Sequence, residues 1–194
     1  LLERKYISDP ESENALRVHL RPGGRELLSD LCRTGFPGSL DDALESGVDW
    51  SESESGELAG TDWSFERFPV CHTPETDPHG YEFVHSSGFR LLHCGDSGPC
   101  EGIEQRAPNA DVVLLEMGIP DFVDSPNHHT PSDAIAFVQR HPHALVLVTH
   151  NFASATGVEA GFRMPDLPES IIQLEDGDYL SIGDDGKLSL QRNL

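Results

Sequence analysis

The segment DVVLLEMGIPDFVDSPNHHTPSDAIAFVQRHPHALVLVTH, residues 111–150, contains the clearest secondary-structure pattern of this chain. It contains two runs, DVVLLEM and ALVLVTH, that are short and apolar, as buried strands are. Between them, PSDAIAFVQRH has the apolar spacing of a helix. The pattern therefore predicts a strand–helix–strand unit, in which the first strand ends at Glu116 and the second at His150.

Further runs on both sides of this unit predict strands and a helix. ALRVHLRP (15–22) predicts a strand, and GGRELLSDLCRTG (23–35) predicts a helix. DWSFERFPVCHT, YEFVHSS and FRLLHCGD predict three more strands, with a turn at 86–88 between the last two. Residues 169–182 and 187–191 predict a closing antiparallel pair around GDDG. Hairpins mixed with strand–helix–strand units indicate an α/β (α+β) fold, a sandwich of sheets with helices outside.

The length of 194 residues allows one domain with a substantial core, and we expect a single domain over 1–194. Within it, 41–62 contains eight acidic residues, many Ser and Gly, and no Lys or Arg. This composition favours a solvated acidic loop or a flexible insertion. The alternative is a lid over a substrate, which only the position of this segment ahead of the predicted site supports.

The charge of the chain is strongly negative. Thirteen Lys and Arg stand against 34 Asp and Glu, giving a formal net charge of −21. Such a surface repels phosphate backbones and anionic membranes, and the sequence shows no run rich in Lys or Arg. RNA is therefore a less expected partner than a small molecule, and a homodimer is left open.

The cysteines and the apolar runs bear on the cellular compartment of the protein. The four cysteines are scattered and do not form the framework of a secreted disulfide domain. The sequence shows no signal peptide and no apolar stretch long enough to span a bilayer. We therefore expect a cytoplasmic protein with no membrane partner.

Polar side chains able to bind metal follow the apolar runs in a fixed order. Imidazoles and carboxylates at strand ends, gathered by the fold, can assemble a catalytic zinc site without a local CxxC or HExxH signature. In chain order they are His72, Asp96, Glu116, His128 and His150.

In these segments the chain resembles the metallo-β-lactamase fold hydrolases, most closely the ribonuclease Z-like branch. CHTPETDPHGYEF is similar to the segment with the family's third-motif histidine, and HCGDSGPCEGIE to its Gly-Asp-Thr/Ser loop. DVVLLEMG, HHTPSDAIAF and LVLVTHNF are similar to the strand ending in glutamate, the His-x-Thr helix start and the last metal-binding strand. The resemblance runs from about residue 15 to 182. It implies an αββα sandwich and a metal-dependent hydrolase that cleaves an ester or phosphodiester with two Zn²⁺ ions, Mn²⁺ or Fe²⁺ being alternatives.

The resemblance also implies a role for each residue of the series. His72 would complete the imidazole set of one metal, and Asp96 would bridge both metals because a carboxylate has two oxygens. His150 would belong to the second metal. Glu116 and His128 would form the catalytic pair, in which the carboxylate orients the imidazole that protonates a leaving group.

Several of these residues have ordinary alternatives. His72 could be an ordinary surface histidine at the end of a strand, and His150 could cap the turn that follows its strand. Asp96 could be a turn residue, since Asp next to Gly is common in turns. Glu116 is harder to dismiss, because a partly buried carboxylate needs a partner. The sequence does not separate His128 from its neighbour His129; we prefer His128 because a threonine follows it two places later.

The most specific motif of the family, His-x-His-x-Asp-His, is absent from the 194 residues. The order of the other motifs requires it upstream of Leu1, so the chain resembles the C-terminal two-thirds of the family domain. With His72, Asp96 and His150 alone, neither metal has enough protein ligands. We expect this chain to bind zinc weakly and to have little hydrolase activity. The alternative is a degenerate, non-enzymatic family member that acts as a binding or assembly module.

A second reading comes from GDSGPC (95–100), which is similar to the nucleophile loop of trypsin-like proteases. It would make Ser97 the nucleophile of a serine hydrolase. The second glycine of that loop is missing here, and no His or Asp precedes it in the required context. The sequence therefore favours the metal site over a serine nucleophile.

Overall fold

The computed structural model divides into two compact units, Leu1–Gly56 and Glu57–Leu194. The prediction of a single domain over 1–194 stays a prediction. The described residues are 16–38, 44–45, 47–151, 166–183 and 187–193.

Among its described residues, the first unit contains a two-stranded parallel sheet and a helix that follows the first strand. Strand β1 (Leu16–Leu20) pairs with β2 (Val48–Glu52), and helix α1 (Gly24–Gly35) follows β1 along the chain. The residue before the helix, Gly23, has φ +77°, a left-handed conformation that glycine adopts without steric cost. The strand and the helix predicted over 15–35 are confirmed for the described residues.

The second unit contains β4 to β9 of a mixed sheet, whose seven described strands lie in sequence order, β3 to β9. Strand β3 spans the boundary between the two units. Strands β4, β5 and β6 pair antiparallel, and β6, β7, β8 and β9 pair parallel. The mixed α/β architecture predicted from the sequence is confirmed. The strands are β3 (Ser55–Glu57), β4 (Trp63–Pro69), β5 (His79–His85), β6 (Arg90–His93), β7 (Val112–Glu116), β8 (Leu145–Thr149) and β9 (Ile171–Gln173).

The strand–helix–strand unit predicted over 111–150 lies at the centre of this sheet. Strand β7 is buried on both faces, as parallel strands between layers are, and its Val113 and Leu115 belong to the main core cluster. Helix α3 (Pro131–Arg140) adds Phe137 to the same cluster. The shorter helix α2 (Glu101–Arg106) lies between β6 and β7 in the chain.

The N-terminus of helix α3 is capped by Thr130. The Thr130 hydroxyl accepts a hydrogen bond from the backbone N–H of Asp133 at 3.1 Å, and the Asp133 carboxylate accepts one from the Thr130 N–H at 3.0 Å. This reciprocal capping box fixes the chain immediately after His128.

The C-terminal strands differ from the predicted closing pair. Strand β10 (Tyr179–Ile182) pairs antiparallel with β11 (Leu188–Gln191), but β9 joins the edge of the main sheet parallel to β8. A turn separates β9 from β10, because the Glu175 N–H bonds the Asp178 carboxylate and Gly177 has φ +87°. The predicted pair is therefore correct for 179–182 only; part of the GDDG turn, 184–186, lies outside the described residues.

The acidic segment 41–62 includes regular structure. Strand β2 and strand β3 both lie within it, while 41–43 and 46 lie outside the described residues. Whether the segment as a whole is an insertion or a lid stays a prediction. Among the described residues, no helix is both long enough and apolar enough to cross a bilayer.

Candidate metal centre

Two predicted site residues lie at the same edge of the sheet because β7 and β8 are parallel neighbours in register. Glu116, the last residue of β7, pairs with Thr149, the last residue of β8. His150 follows directly. The carboxyl ends of adjacent parallel strands are where open α/β sheets place their functional groups.

The Glu116 carboxylate is the buried centre of this edge, with 1% of the residue exposed. Its Oε1 accepts a hydrogen bond from the backbone N–H of His129 at 2.9 Å and lies 3.1 Å from Nδ1 of His128. Its Oε2 is buried and has no hydrogen-bond partner among the described residues. Burial raises the pKa of Glu116 to about 7, although the nearby N–H groups of His129 and Gly118 act in the opposite direction.

Three imidazoles meet beside this carboxylate. The His128 ring lies with its centroid 4.9 Å from that of His72, at an interplanar angle of 84°, and 5.8 Å from that of His150, at 20°. One ligand atom from each of Glu116, His128 and His150 lies within 4.8 Å of the other two. The fold therefore gathers four of the five residues predicted from the sequence.

The donor set suits a transition metal. Two imidazoles and a carboxylate are ligands that Zn²⁺ accepts in catalytic sites, where three protein groups leave a position open. The unpartnered Oε2 of Glu116 supports this, because a buried carboxylate oxygen without a hydrogen bond is costly unless a cation or a proton occupies it. The residues present fit a bound divalent ion.

Gly118 lies against the converging side chains and was not singled out from the sequence. A Cβ at this position would lie 2.6 Å from Oε2 of Glu116, 2.8 Å from Cδ2 of His150 and 3.0 Å from Nδ1 of His128. A larger residue here would therefore displace the three groups that converge. The signal available in the sequence was a glycine two residues after a strand that ends in glutamate.

His150 reaches the cluster through an uncommon backbone conformation. Its φ of +52° lies in the left-handed region, where histidine is more frequent than most other residues with a side chain. The preceding residue is held in the sheet, since the Met117 N–H bonds the Thr149 carbonyl at 3.0 Å. Such conformations persist where the surrounding structure enforces them and are concentrated at functional sites.

His72 and Asp96 lie on two segments that pair with each other. Cys71, next to His72, accepts a hydrogen bond from the Gly98 N–H at 2.8 Å in an isolated antiparallel bridge. The half-buried His72 reaches His128, whereas Asp96 is exposed and does not belong to the cluster of three ligand atoms found in the described residues. The bridging role of Asp96, and metal ligation by His72 and His150, stay predictions.

The structure separates the two adjacent histidines. His128 faces the Glu116 carboxylate and the other two rings, which is the position expected of the catalytic pair. His129 is buried, and its Nδ1 lies 2.6 Å from the carbonyl oxygen of Ser97. Burial lowers the pKa of His129, so its imidazole is neutral at neutral pH.

The serine-hydrolase reading lacks its geometry. Ser97 is fully buried, and its hydroxyl has no hydrogen-bond partner in the described part of the chain. The neighbouring His129 bonds the carbonyl of Ser97 rather than its hydroxyl. A nucleophilic serine needs a base within hydrogen-bond reach, and Ser97 has none among these residues.

The described residues thus place histidines around a buried carboxylate at the carboxyl edge of a mixed sheet, a group that could hold a metal ion. The family model described as "Beta-lactamase superfamily domain" matches residues 13–151. The chain therefore belongs to the metallo-β-lactamase superfamily, and the resemblance found in the sequence is confirmed.

Individual relatives agree with this assignment. Zinc phosphodiesterase ELAC protein 2 of Rattus norvegicus is 31% identical over 75 residues, which cover 37% of this chain and 9% of that protein. A long form RNase Z from yeast matches with a TM-score of 0.61 at 11% identity, covering 89% of this chain and 28% of that chain. A possible metal-dependent hydrolase from Veillonella parvula matches with a TM-score of 0.58 at 14% identity, covering 84% and 65%.

The two solved structures show the fold alone at these identities. The match to the rat protein spans 9% of the length of that curated relative. The family and the fold are therefore established, and activity and substrate are inferred from the site.

Proposed function

We propose that this chain carries part of the active centre of a metal-dependent hydrolase that cleaves an ester or a phosphodiester. The observation that carries the proposal is the convergence of Glu116, His128 and His150 around a buried carboxylate oxygen that has no partner among the described residues. Burying such an oxygen without a hydrogen bond costs free energy. In a metal-dependent hydrolase, a bound cation or a proton would occupy it.

The proposed metal ligands are His72, Asp96 and His150, with Zn²⁺ as the expected ion and Mn²⁺ or Fe²⁺ as alternatives. When bound, such an ion polarises the scissile bond and lowers the pKa of water towards 7. His72 and His150 both lie against the His128 ring, so they would present their imidazoles from two neighbouring segments. The exposed Asp96 would supply the anionic oxygens.

Glu116 and His128 form the proposed proton-transfer pair. The distance of 3.1 Å between Oε1 and Nδ1 lets the carboxylate fix the tautomer and the orientation of the imidazole. Nε2 of His128, when it also carries a proton, is then the nitrogen that gives that proton to the leaving group. A direct role of Glu116 as a ligand is the competing assignment, since its Oε2 has no partner among the described residues.

The 194-residue chain is proposed to be impaired when it acts alone. It contains no His-x-His-x-Asp-His motif, and three protein ligands cannot satisfy two ions. We expect weak binding of a metal ion and slow hydrolysis. A protein that carries the motif upstream of these residues should bind two ions.

The substrate is proposed to be a small molecule. A net charge of −21 disfavours a long polyanion such as RNA, although relatives are named zinc phosphodiesterase and RNase Z. A small ester or phosphodiester carries at most a single charge near the site. A cytoplasmic location is a further proposal, based on the sequence alone, and a homodimer stays open.

The test is a metal titration combined with hydrolysis of bis-p-nitrophenyl phosphate and a panel of thioesters. Wild-type protein, His150→Ala and the control His143→Ala are titrated with Zn²⁺ after chelator treatment; His143 is exposed and bonds only the Ala107 carbonyl among the described residues. We expect His150→Ala to weaken binding by at least about tenfold and His143→Ala to leave it unchanged. Equal affinity in all three proteins would contradict the proposal.

The alternative proposal is a non-enzymatic binding or assembly module. It applies only if the protein carries no His-x-His-x-Asp-His motif ahead of these residues. Sequencing the gene upstream of Leu1 separates the two: His-x-His-x-Asp-His in frame favours the hydrolase, and a stop codon favours the module.

A further inference from the structure

His129 makes two contacts that join separate parts of the centre. Its backbone N–H donates to Oε1 of Glu116 at 2.9 Å, and its buried side chain reaches the carbonyl oxygen of Ser97 at 2.6 Å. A carbonyl oxygen only accepts hydrogen bonds, so Nδ1 of His129 carries the proton. One residue therefore bonds both the end of β7 and the loop after β6.

The loop that His129 holds is the one that carries Asp96. Ser97 follows Asp96 directly, and Gly98 then bonds the carbonyl of Cys71 beside His72. The loop packs tightly on the segment before His129, since a Cβ on Gly98 would lie 1.9 Å from the Pro126 carbonyl oxygen. The hydrogen bond from the His129 side chain to the Ser97 carbonyl then holds the Asp96 loop in place on this segment.

We propose that His129 is a positioning residue, whose Nδ1–H holds the Asp96 loop against the Glu116–His128 pair and which itself contacts neither metal nor substrate. The structural part of this inference concerns the chain without metal. Its consequence for metal binding rests on the proposed function above. The bond is short and buried, the setting in which a hydrogen bond most strongly restricts a loop.

The test uses three substitutions that separate the donor from the bulk of the ring. His129→Asn places an amide N–H near the position of Nδ1, His129→Leu keeps much of the volume without a donor, and His129→Gln places its amide too far along the side chain. Hydrogen exchange of the metal-free protein is measured for peptides that cover 95–98, with β7 as the internal reference. Thermal unfolding identifies any variant that has lost its fold.

We expect exchange of the 95–98 loop to rise by about tenfold or more in the Leu variant and to stay within about threefold of wild type in the Asn variant. Exchange in β7 should stay unchanged in both. If the Leu variant does not fold, the Asn and Gln variants are compared, and Gln should show the faster loop exchange. Equal loop exchange in donor and non-donor variants would overturn the proposal, because a packing role alone does not distinguish them.

A Zn²⁺ titration of the same proteins tests the consequence for the centre. The Leu variant should bind zinc about 10- to 100-fold more weakly than wild type, and the Asn variant should recover most of the loss. If wild-type protein binds no zinc at all, the proposed function fails, and the exchange measurement still decides the role of His129. If zinc binds equally to all variants while loop exchange differs, His129 positions the loop but not the metal centre, and the proposal is overturned in that part.

Discussion

The replacement of Glu116 by Gln provides a quantitative test of the buried carboxylate. Burial raises the pKa of Glu116 from its ordinary value of 4.5 to about 7 in the folded chain. Each pKa unit corresponds to about 1.4 kcal/mol. In the metal-free protein, the ionised carboxylate therefore costs about 3 kcal/mol of folding stability above pH 7.

The direction of the pH dependence follows from proton binding. Between pH 4.5 and 7 the folded chain holds a proton on Glu116 that the unfolded chain has released. The contribution of this group to stability is thus fully present below pH 4.5 and is lost as the pH rises through 7. The Gln side chain does not titrate, so the free energy of unfolding of Glu116→Gln should exceed that of wild type by up to about 3 kcal/mol at pH 8 and match it near pH 4.5.

Urea unfolding in the presence of a chelator measures this difference between pH 4.5 and 8. The signal is the fluorescence of Trp63, which lies in the same unit as Glu116, in a Trp50→Phe background. Glu104→Gln is the matched control, because that glutamate is partly exposed and hydrogen-bonded to Arg140. Parallel pH curves for wild type and Glu116→Gln would refute the assignment of a buried carboxyl group whose pKa is raised by burial.

Three further changes have defined outcomes. Burial raises the pKa of Glu104, but its hydrogen bonds to Arg140, at 2.7 Å, and to the adjacent imidazole outweigh this and hold the pKa below 4.5. Glu104→Gln should therefore cost about 0.5 kcal/mol at pH 7 after solvent screening, and urea titrations should show that this cost disappears as the pH falls through the lowered pKa of Glu104. Thr130→Ala removes the hydroxyl that caps α3 and should lower the free energy of unfolding by about 1 kcal/mol, whereas Thr130→Ser should retain most of it; equal losses in both would contradict the capping role. Gly118→Ala places a Cβ 2.6 Å from Glu116 and should weaken Zn²⁺ binding by about tenfold or more in a calorimetric titration, and unchanged affinity would show that the glycine is dispensable.

The central part of the fold was predictable because its strands are buried on both faces. DVVLLE and LVLVT are near-continuous apolar runs, which are typical of parallel strands buried on both faces of a sheet. Once β7 and β8 are parallel neighbours, Glu116 and His150 must lie at one edge. The order of the residues along the chain was thus enough to gather most of the candidate site.

The features that escaped prediction depend on contacts distant in sequence. The acidic segment forms β2 because it pairs with β1, and nothing in its Ser- and Gly-rich composition favours a strand by itself. Which of His128 and His129 faces the carboxylate is decided by the Ser97 carbonyl, a partner 32 positions before His129. The exposed position of Asp96 likewise depends on how its loop packs, which periodicity does not reveal.

The most direct test of the metal centre is a Co²⁺ titration of the purified 194-residue protein, followed by its visible absorption. We expect one weak site whose absorption reports imidazole ligation and whose affinity falls by about tenfold or more in His150→Ala. Affinity unchanged by His150→Ala would contradict the centre itself. Tight, near-stoichiometric binding in the wild type would contradict the claim that these residues supply only part of the ligand set.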